Sequence, residues 1–218
     1  MQNSRWTAIF DLDGTLIPNM SAEKTFFFYM LRNGLLSAGK ILQIIPAIWR
    51  AKGNLHDITR GNKAYLRNVS SERLENIARN YFEPRIDSIV FPRMHQVIEE
   101  HRANGDLLLL LTGTLDVIAG CFVRKLRFDG FKAAKLEIKN GYYTGRVNGI
   151  LPYGIGKLEV LRELKEEFKY DSNKTSLYAN IYSDRFVMNA VERPVAVNPD
   201  QRLRNYAKRQ KWKIIDTK

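Results

Sequence analysis

Along most of the chain, short apolar runs alternate with stretches of helical period. The runs at 6–12, 107–112, 176–183 and 194–198, with a weaker one at 213–216, predict buried strands. Between them, the pattern predicts helices at 92–104, 116–126, 156–168, 185–192 and 200–210. This alternation implies an α/β class with a mostly parallel sheet flanked by helices. Asn140-Gly141, followed by Tyr142, Tyr143 and Thr144, predicts a β-hairpin, because two adjacent residues at positive φ match the twist of paired strands.

Residues 17–88 break the alternation and read as wholly helical. The expected organisation is therefore a core of 1–16 and 89–218 carrying a helical cap, 17–88, inserted after the first strand. Ser71, Leu74 and Ile77 open an amphipathic helix, and Gly34, Gly39 and Gly53 punctuate the others. The segment 25–49 is unusually apolar, from Phe26-Phe27-Phe28-Tyr29-Met30-Leu31 to the run that ends at Trp49. Arg32, Lys40, Gln43 and Pro46 interrupt it, so it falls short of the roughly 20 apolar residues of a membrane-spanning helix and reads first as two packed cap helices. Lys24, Arg50 and Lys52 flank it, leaving open a surface that touches anionic lipid.

At 218 residues the chain suits one α/β domain with an insertion better than two independent domains. Its 35 Lys and Arg against 23 Asp and Glu give a net charge of +12, which favours an anionic partner. The excess is diffuse, with no zinc-finger spacing, RRM signature or basic-aromatic repeat, so nucleic acid is not the expected partner. The single cysteine, Cys121, excludes an internal disulfide framework and reads as a buried small hydrophobe in a reducing compartment. The N-terminal residues lack the charged and apolar regions of a secretory leader, so the expected location is cytoplasmic. His56, His95 and His101 are scattered and read as structural or solvated, with no zinc-binding cluster.

The candidate chemistry lies where the first strand ends, in Asp11-Leu12-Asp13-Gly14-Thr15-Leu16. Open α/β sheets gather their sites at this edge. Carboxylates two positions apart point the same way in extended chain, so one can attack while the other donates and accepts protons. Gly14 permits the sharp turn. A calcium loop starting at Asp11 would need glycine at its sixth position and glutamate at its twelfth, where Leu16 and Ala22 stand instead.

Phe10-Asp11-Leu12-Asp13-Gly14-Thr15-Leu16 closely resembles the first motif of haloacid dehalogenase (HAD) superfamily hydrolases. The resemblance continues through Thr112-Gly113-Thr114, Gly154-Ile155-Gly156-Lys157 and the segment from Tyr178 to Asp184, and is nearest to the phosphoserine-phosphatase-like IB branch. It implies a Rossmann-like three-layer core with a C1-type helical cap, and a magnesium-dependent phosphatase acting on a small phosphorylated metabolite. In that scheme Asp11 becomes the aspartyl-phosphate, Asp13 is the acid-base residue, and Thr112, Gly113 and Lys157 hold the phosphoryl group. Asp11, Asp13, Asn180 and Asp184 would hold Mg2+, with Asn180 standing where the pattern carries an acid. Glu23, the acid of the early cap, is the substrate-binding candidate. Two other readings remain open: a lipid-phosphate phosphatase at a membrane surface, and a HAD-fold binding protein whose turnover Asn180 has weakened.

Overall fold

The computed structural model describes residues 5–18, 21–36 and 63–217. Seven strands form one sheet: β1 (Thr7–Phe10), β2 (Leu107–Leu115), β3 (Gly130–Lys139), β4 (Tyr142–Asn148), β5 (Thr175–Ala179), β6 (Arg193–Val197) and β7 (Lys213–Ile215). Their spatial order is β4-β3-β2-β1-β5-β6-β7. Every neighbouring pair is parallel except β3–β4, the hairpin that Asn140-Gly141 closes with φ of 51° and 81°. The chain runs outward from β1 in both directions, to β2 on one side and β5 on the other. This reversal opens a crevice at the carboxyl ends of the central strands.

Alternate side chains of these strands feed two separate cores. Ala8 and Phe10 of β1, Leu108 and Leu110 of β2 and Tyr178 of β5 pack on one face, against α4 (Pro92–Ala103) and α5 (Asp116–Lys125). Ile9, Leu109, Leu111 and Leu177 pack on the other, against α6 (Ile155–Phe168), α7 (Arg185–Met188) and α8 (Gln201–Arg209). Covering both faces explains why the central strands read as continuous apolar runs. Burial of one such side chain, Phe10 for example, stabilises the fold by roughly 2–3 kcal/mol.

Between β1 and β2 the described residues form α1 (Ala22–Arg32), a single 3-10 turn (Ala64–Leu66), α2 (Ser71–Phe82), α3 (Ile86–Ile89) and α4. The wholly helical expectation for 17–88 needs correction, because Ile17 forms an isolated bridge with Asp13 and Ser70 an antiparallel one with Tyr142 of β4. Ser70 also caps α2, its hydroxyl accepting from the Arg73 N–H at 3.3 Å. Phe26, Met30, Leu74 and Phe82 belong to the same apolar cluster as Phe10 and Phe122, so α1 and α2 share a core with the sheet. Of the aromatic run, Phe26 is buried against Phe82, Phe27 meets Tyr65 edge-on, and Phe28 is exposed. No helix among the described residues is long and apolar enough to cross a membrane. Trp49, His56, Gly39, Gly53 and the second apolar cap helix lie outside the described residues.

Several element boundaries differ from the sequence reading: β1 stops at Phe10 rather than at 12, and β2 runs on to Leu115 rather than ending at 112. The strand expected over 176–183 ends at Ala179, because the following backbone turns to Asp200: the Asp200 N–H donates to Asn180 O at 2.9 Å, and the Tyr182 N–H donates to the Asp200 carboxylate at 2.9 Å. The helix expected over 185–192 stops at Met188, where the Asn189 side-chain amide donates to Arg185 O at 2.7 Å. Cys121 is fully buried, and His101 lies between the Asp106 carboxylate, just before β2, and the Tyr178 hydroxyl. His95 Nε2 lies 3.3 Å from the Asp87 carbonyl.

Candidate active site

β1 ends by placing Asp11 in the crevice, its N–H donating to Tyr178 O at 2.9 Å. The chain then folds back tightly, with the N–H groups of Leu16 and Ile17 reaching Leu12 O and that of Gly14 reaching Ile17 O at 2.8 Å. Gly14 sits at φ +78°, and a β-carbon there would come within 1.9 Å of Asn180 Nδ2. Only glycine fits this turn, which sets Asp11 and Asp13 along one wall of the crevice.

The resulting pocket, of about 250 Å³, is lined by Asp11, Asp13, Thr112, Gly113, Lys157, Asn180 and Asp184 at one end. Ser21, Glu23, Thr114, Leu151, Pro152, Tyr153 and Ile181 line the remainder. Every site residue singled out from the sequence therefore reaches one cavity, Glu23 of the early cap included.

Lys157, on the first turn of α6, places its ammonium between two carboxylates, 2.8 Å from Asp11 Oδ1 and 3.2 Å from Asp184 Oδ1. All three side chains are buried, Asp184 almost completely. Burial works against the lysine charge, but Asp11 and Asp184 together outweigh it and hold the ammonium above the ordinary lysine value. Asp13 is anchored differently. Its Oδ1 accepts from the Ala22 N–H at 2.7 Å and its Oδ2 from the Thr114 hydroxyl at 2.6 Å. Burial pushes its carboxyl up to about 6, with the Asp11 and Glu23 charges adding to the rise and the two donors opposing it. A carboxyl so tuned can give and take a proton near neutrality.

Thr112 is buried at the end of the apolar part of β2, its hydroxyl accepting from the Thr114 N–H at 3.2 Å. Gly113 packs closely on the loop before α6, where a β-carbon would sit 3.2 Å from Pro152 O. Sequence reasoning missed Thr114 as the partner of Asp13, although it lies in the motif already singled out. It also missed Lys63 and Tyr65, which both donate to Glu23 Oε1, Tyr65 at 2.9 Å. Burial draws the Lys63 ammonium below the ordinary lysine value, while Glu23 and Asp13 pull it back up.

The donor chemistry fits a hard cation. Asn180 Oδ1 is a buried oxygen without a hydrogen-bond partner, on a residue that lines the pocket with Asp11 and Asp184. Among the described residues, no three His, Cys, Asp or Glu side chains converge as a closed metal cage. An open set of two carboxylates and one amide oxygen, to be completed by phosphate and water, is the arrangement magnesium favours.

A buried lysine between two carboxylates at the switch point of a mostly parallel sheet defines an α/β protein with a carboxylate centre at its strand ends. The chain belongs to the haloacid dehalogenase-like hydrolase family, whose model matches residues 8–188. It is 30% identical over 220 residues to the inhibition of morphological differentiation protein of Streptomyces azureus, covering 97% of this chain and 78% of that one. It is 26% identical to phosphoserine phosphatase SerB1 of Mycobacterium tuberculosis, over 96% of this chain and 70% of that one. The histidinol-phosphatase of Neisseria meningitidis is also 26% identical, over 97% of this chain and 98% of its own length. Among solved structures, a Bordetella pertussis protein of unknown function shares the fold with a TM-score of 0.83 at 24% identity, covering 99% of this chain and all of that one. A substrate-bound phosphoserine phosphatase shares it with a TM-score of 0.63 at 19% identity, over 100% of this chain and 95% of that one.

Proposed function

We propose that Asp11 is the nucleophile of this phosphoric monoester hydrolase and that its substrate is a small phosphorylated metabolite. An Asp11 carboxylate oxygen attacks phosphorus as the ester P–O bond breaks, and protonated Asp13 gives its proton to the departing alcohol oxygen. The Asp13 carboxylate then takes a proton from water, which attacks the aspartyl-phosphate, releases inorganic phosphate and restores Asp11. Lys157 offsets the charge shared by Asp11 and the phosphoryl oxygens, and Thr112 with the Gly113 N–H holds those oxygens. Glu23 faces the leaving group.

Magnesium is the proposed cofactor, and Asp11, the Asp13 main-chain carbonyl, Asn180 and Asp184 would hold it. When bound, the ion supplies Lewis-acid stabilisation of phosphoryl charge. The observation that carries the reading is the pairing of two unlike carboxyls on one wall. Asp11 pairs with the Lys157 ammonium at 2.8 Å, while burial pushes the carboxyl of Asp13, two residues on, up to about 6. An ion-paired carboxylate beside one tuned to exchange a proton suits a division into nucleophile and acid-base residue.

The test is hydrolysis of an aryl phosphate and a panel of phosphometabolites across a wide magnesium range, with Asp11→Asn as control. Turnover that rises with magnesium and vanishes in Asp11→Asn is expected. The Asn180 amide favours one second reading, a binding protein that has lost efficient turnover, and silence at every magnesium level would decide for it.

A further inference from the structure

The Asp13 carboxyl is gripped at both oxygens, and the two donors come from distant parts of the chain. Oδ1 accepts from the N–H of Ala22, the first residue of α1, at 2.7 Å, and Oδ2 accepts from the Thr114 hydroxyl of β2 at 2.6 Å. Thr114 is itself fixed. It is 3% exposed, its branched β-carbon restricts rotation of the side chain, and its N–H donates to the Thr112 hydroxyl at 3.2 Å. Thr112, Thr114 and Asp13 all line the pocket.

We infer that Thr114 is a positioning residue for Asp13, forming with the Ala22 N–H a two-point clamp that aims the carboxyl at the ester oxygen of the substrate. The inference rests on the phosphatase reading of the same pocket. A carboxyl held at one oxygen can still swing about that contact, whereas donors on both oxygens, one from the cap helix and one from the sheet, fix its plane as well as its place. Orientation then costs nothing at the moment of reaction. An N–H only donates, but a hydroxyl can also accept, so the Thr114 contact persists whether or not Oδ2 carries a proton. Each carboxyl oxygen keeps a further lone-pair site for the reacting groups. When the ester bond breaks, the Asp13 proton passes to the departing alcohol oxygen, and the clamp holds the resulting carboxylate in place to take a proton from water in the second half of the cycle.

The test is the ratio of kcat/KM of the full chain for the best-cleaved alkyl phosphoester of the metabolite panel to that for nitrophenyl phosphate. An alkoxide needs a proton in order to depart and a nitrophenolate does not, so the ratio follows proton delivery and is independent of how much of the enzyme is folded. Thr114→Val removes the hydroxyl while keeping the branched shape, and the ratio is expected to fall by roughly tenfold or more. Thr114→Ser recovers most of it. Ala22→Pro removes the other donor and lowers the same ratio, at a position whose backbone suits proline: it is the first helical residue, and Ser21 before it has ψ of 125°. Should the valine variant not fold, Thr114→Ala removes the same hydroxyl with less bulk and is read in the same way. A ratio that Thr114→Val or Ala22→Pro leaves unmoved, or a serine variant no better than the valine one, overturns the inference and leaves the phosphatase reading standing. A wild type that cleaves only the aryl ester has no proton delivery for the clamp to support, and overturns the inference alone. Failure to cleave either ester overturns the phosphatase reading, and the inference with it.

Discussion

The side-chain amide of Asn180 lies over Gly14, so close that a β-carbon on Gly14 would meet Nδ2 at 1.9 Å. The turn that positions both aspartates and the residue that replaces an acid in the expected metal set are thus in direct contact. Gly14→Ala combines this collision with a φ of +78°, and is expected to destabilise the fold by roughly 1–3 kcal/mol while displacing Asn180. Thermal melts with a magnesium titration of the variant read both effects, and an unchanged melt would contradict the close contact.

Asn180→Asp restores a negative charge beside Asp11 and Asp184. Metal affinity at oxygen sites rises with ligand charge, so the magnesium needed for half-maximal effect falls by roughly tenfold. The metal-free variant is expected to melt lower than wild type, because a further buried carboxylate repels its neighbours, and magnesium recovers the loss. Calorimetric titration and melts with and without magnesium measure both. Equal magnesium requirements in the two proteins would remove Asn180 from the metal set.

Lys157→Met leaves Asp11 and Asp184 buried without their shared cation. Loss of one partner from such a buried set destabilises by roughly 3–5 kcal/mol at neutral pH. Chemical denaturation of wild type and variant at neutral pH measures the loss, and equal midpoints would contradict it. Turnover drops by about a hundredfold or more, as expected when a donor to the transferring group is removed.

Asp13 sets a pH dependence of stability. Its folded-state carboxyl is raised from 3.8 to about 6, so between those values the folded protein keeps a proton that the unfolded chain has released. Stability from this group is therefore fully present below 3.8 and lost as pH rises toward about 6. Asp13→Asn is expected to remove that slope and to stabilise the metal-free protein at pH 7 by on the order of 1–2 kcal/mol, after allowance for pocket water, while abolishing efficient turnover. Chemical denaturation at a series of pH values tests the slope, and parallel wild-type and variant profiles would contradict it.

Much of the fold, and which residues meet in the pocket, was legible in the sequence. Asp11, Asp13, Lys157, Asn180 and Asp184 each lie just beyond the end of a strand or near the start of a helix, and Thr112 lies near the end of β2, where local pattern fixes position. A doubly wound sheet brings such ends together whatever the details of packing. The Asn140-Gly141 turn was legible for the same reason, since its conformation depends on the two residues themselves. Ile181 and Tyr182 continued an apolar pattern, but hydrogen bonds to Asp200, far along the chain, turned them away from the ladder.

By itself, then, the sequence determined the alternation of strands and helices, the glycine turn after Asp11 and the chemistry gathered at the strand ends, because each follows from neighbours in the chain. Tertiary structure alone decided that Lys63 and Tyr65, 40 and 42 positions from Glu23, occupy its carboxylate, and that Thr114 closes on Asp13 across 101 positions. The Glu23 contacts come from how α1 and the turn at Ala64–Leu66 meet, and the Thr114 contact from the parallel pairing of β1 with β2. Packing depends on the shapes of many side chains at once, and no local pattern encodes it.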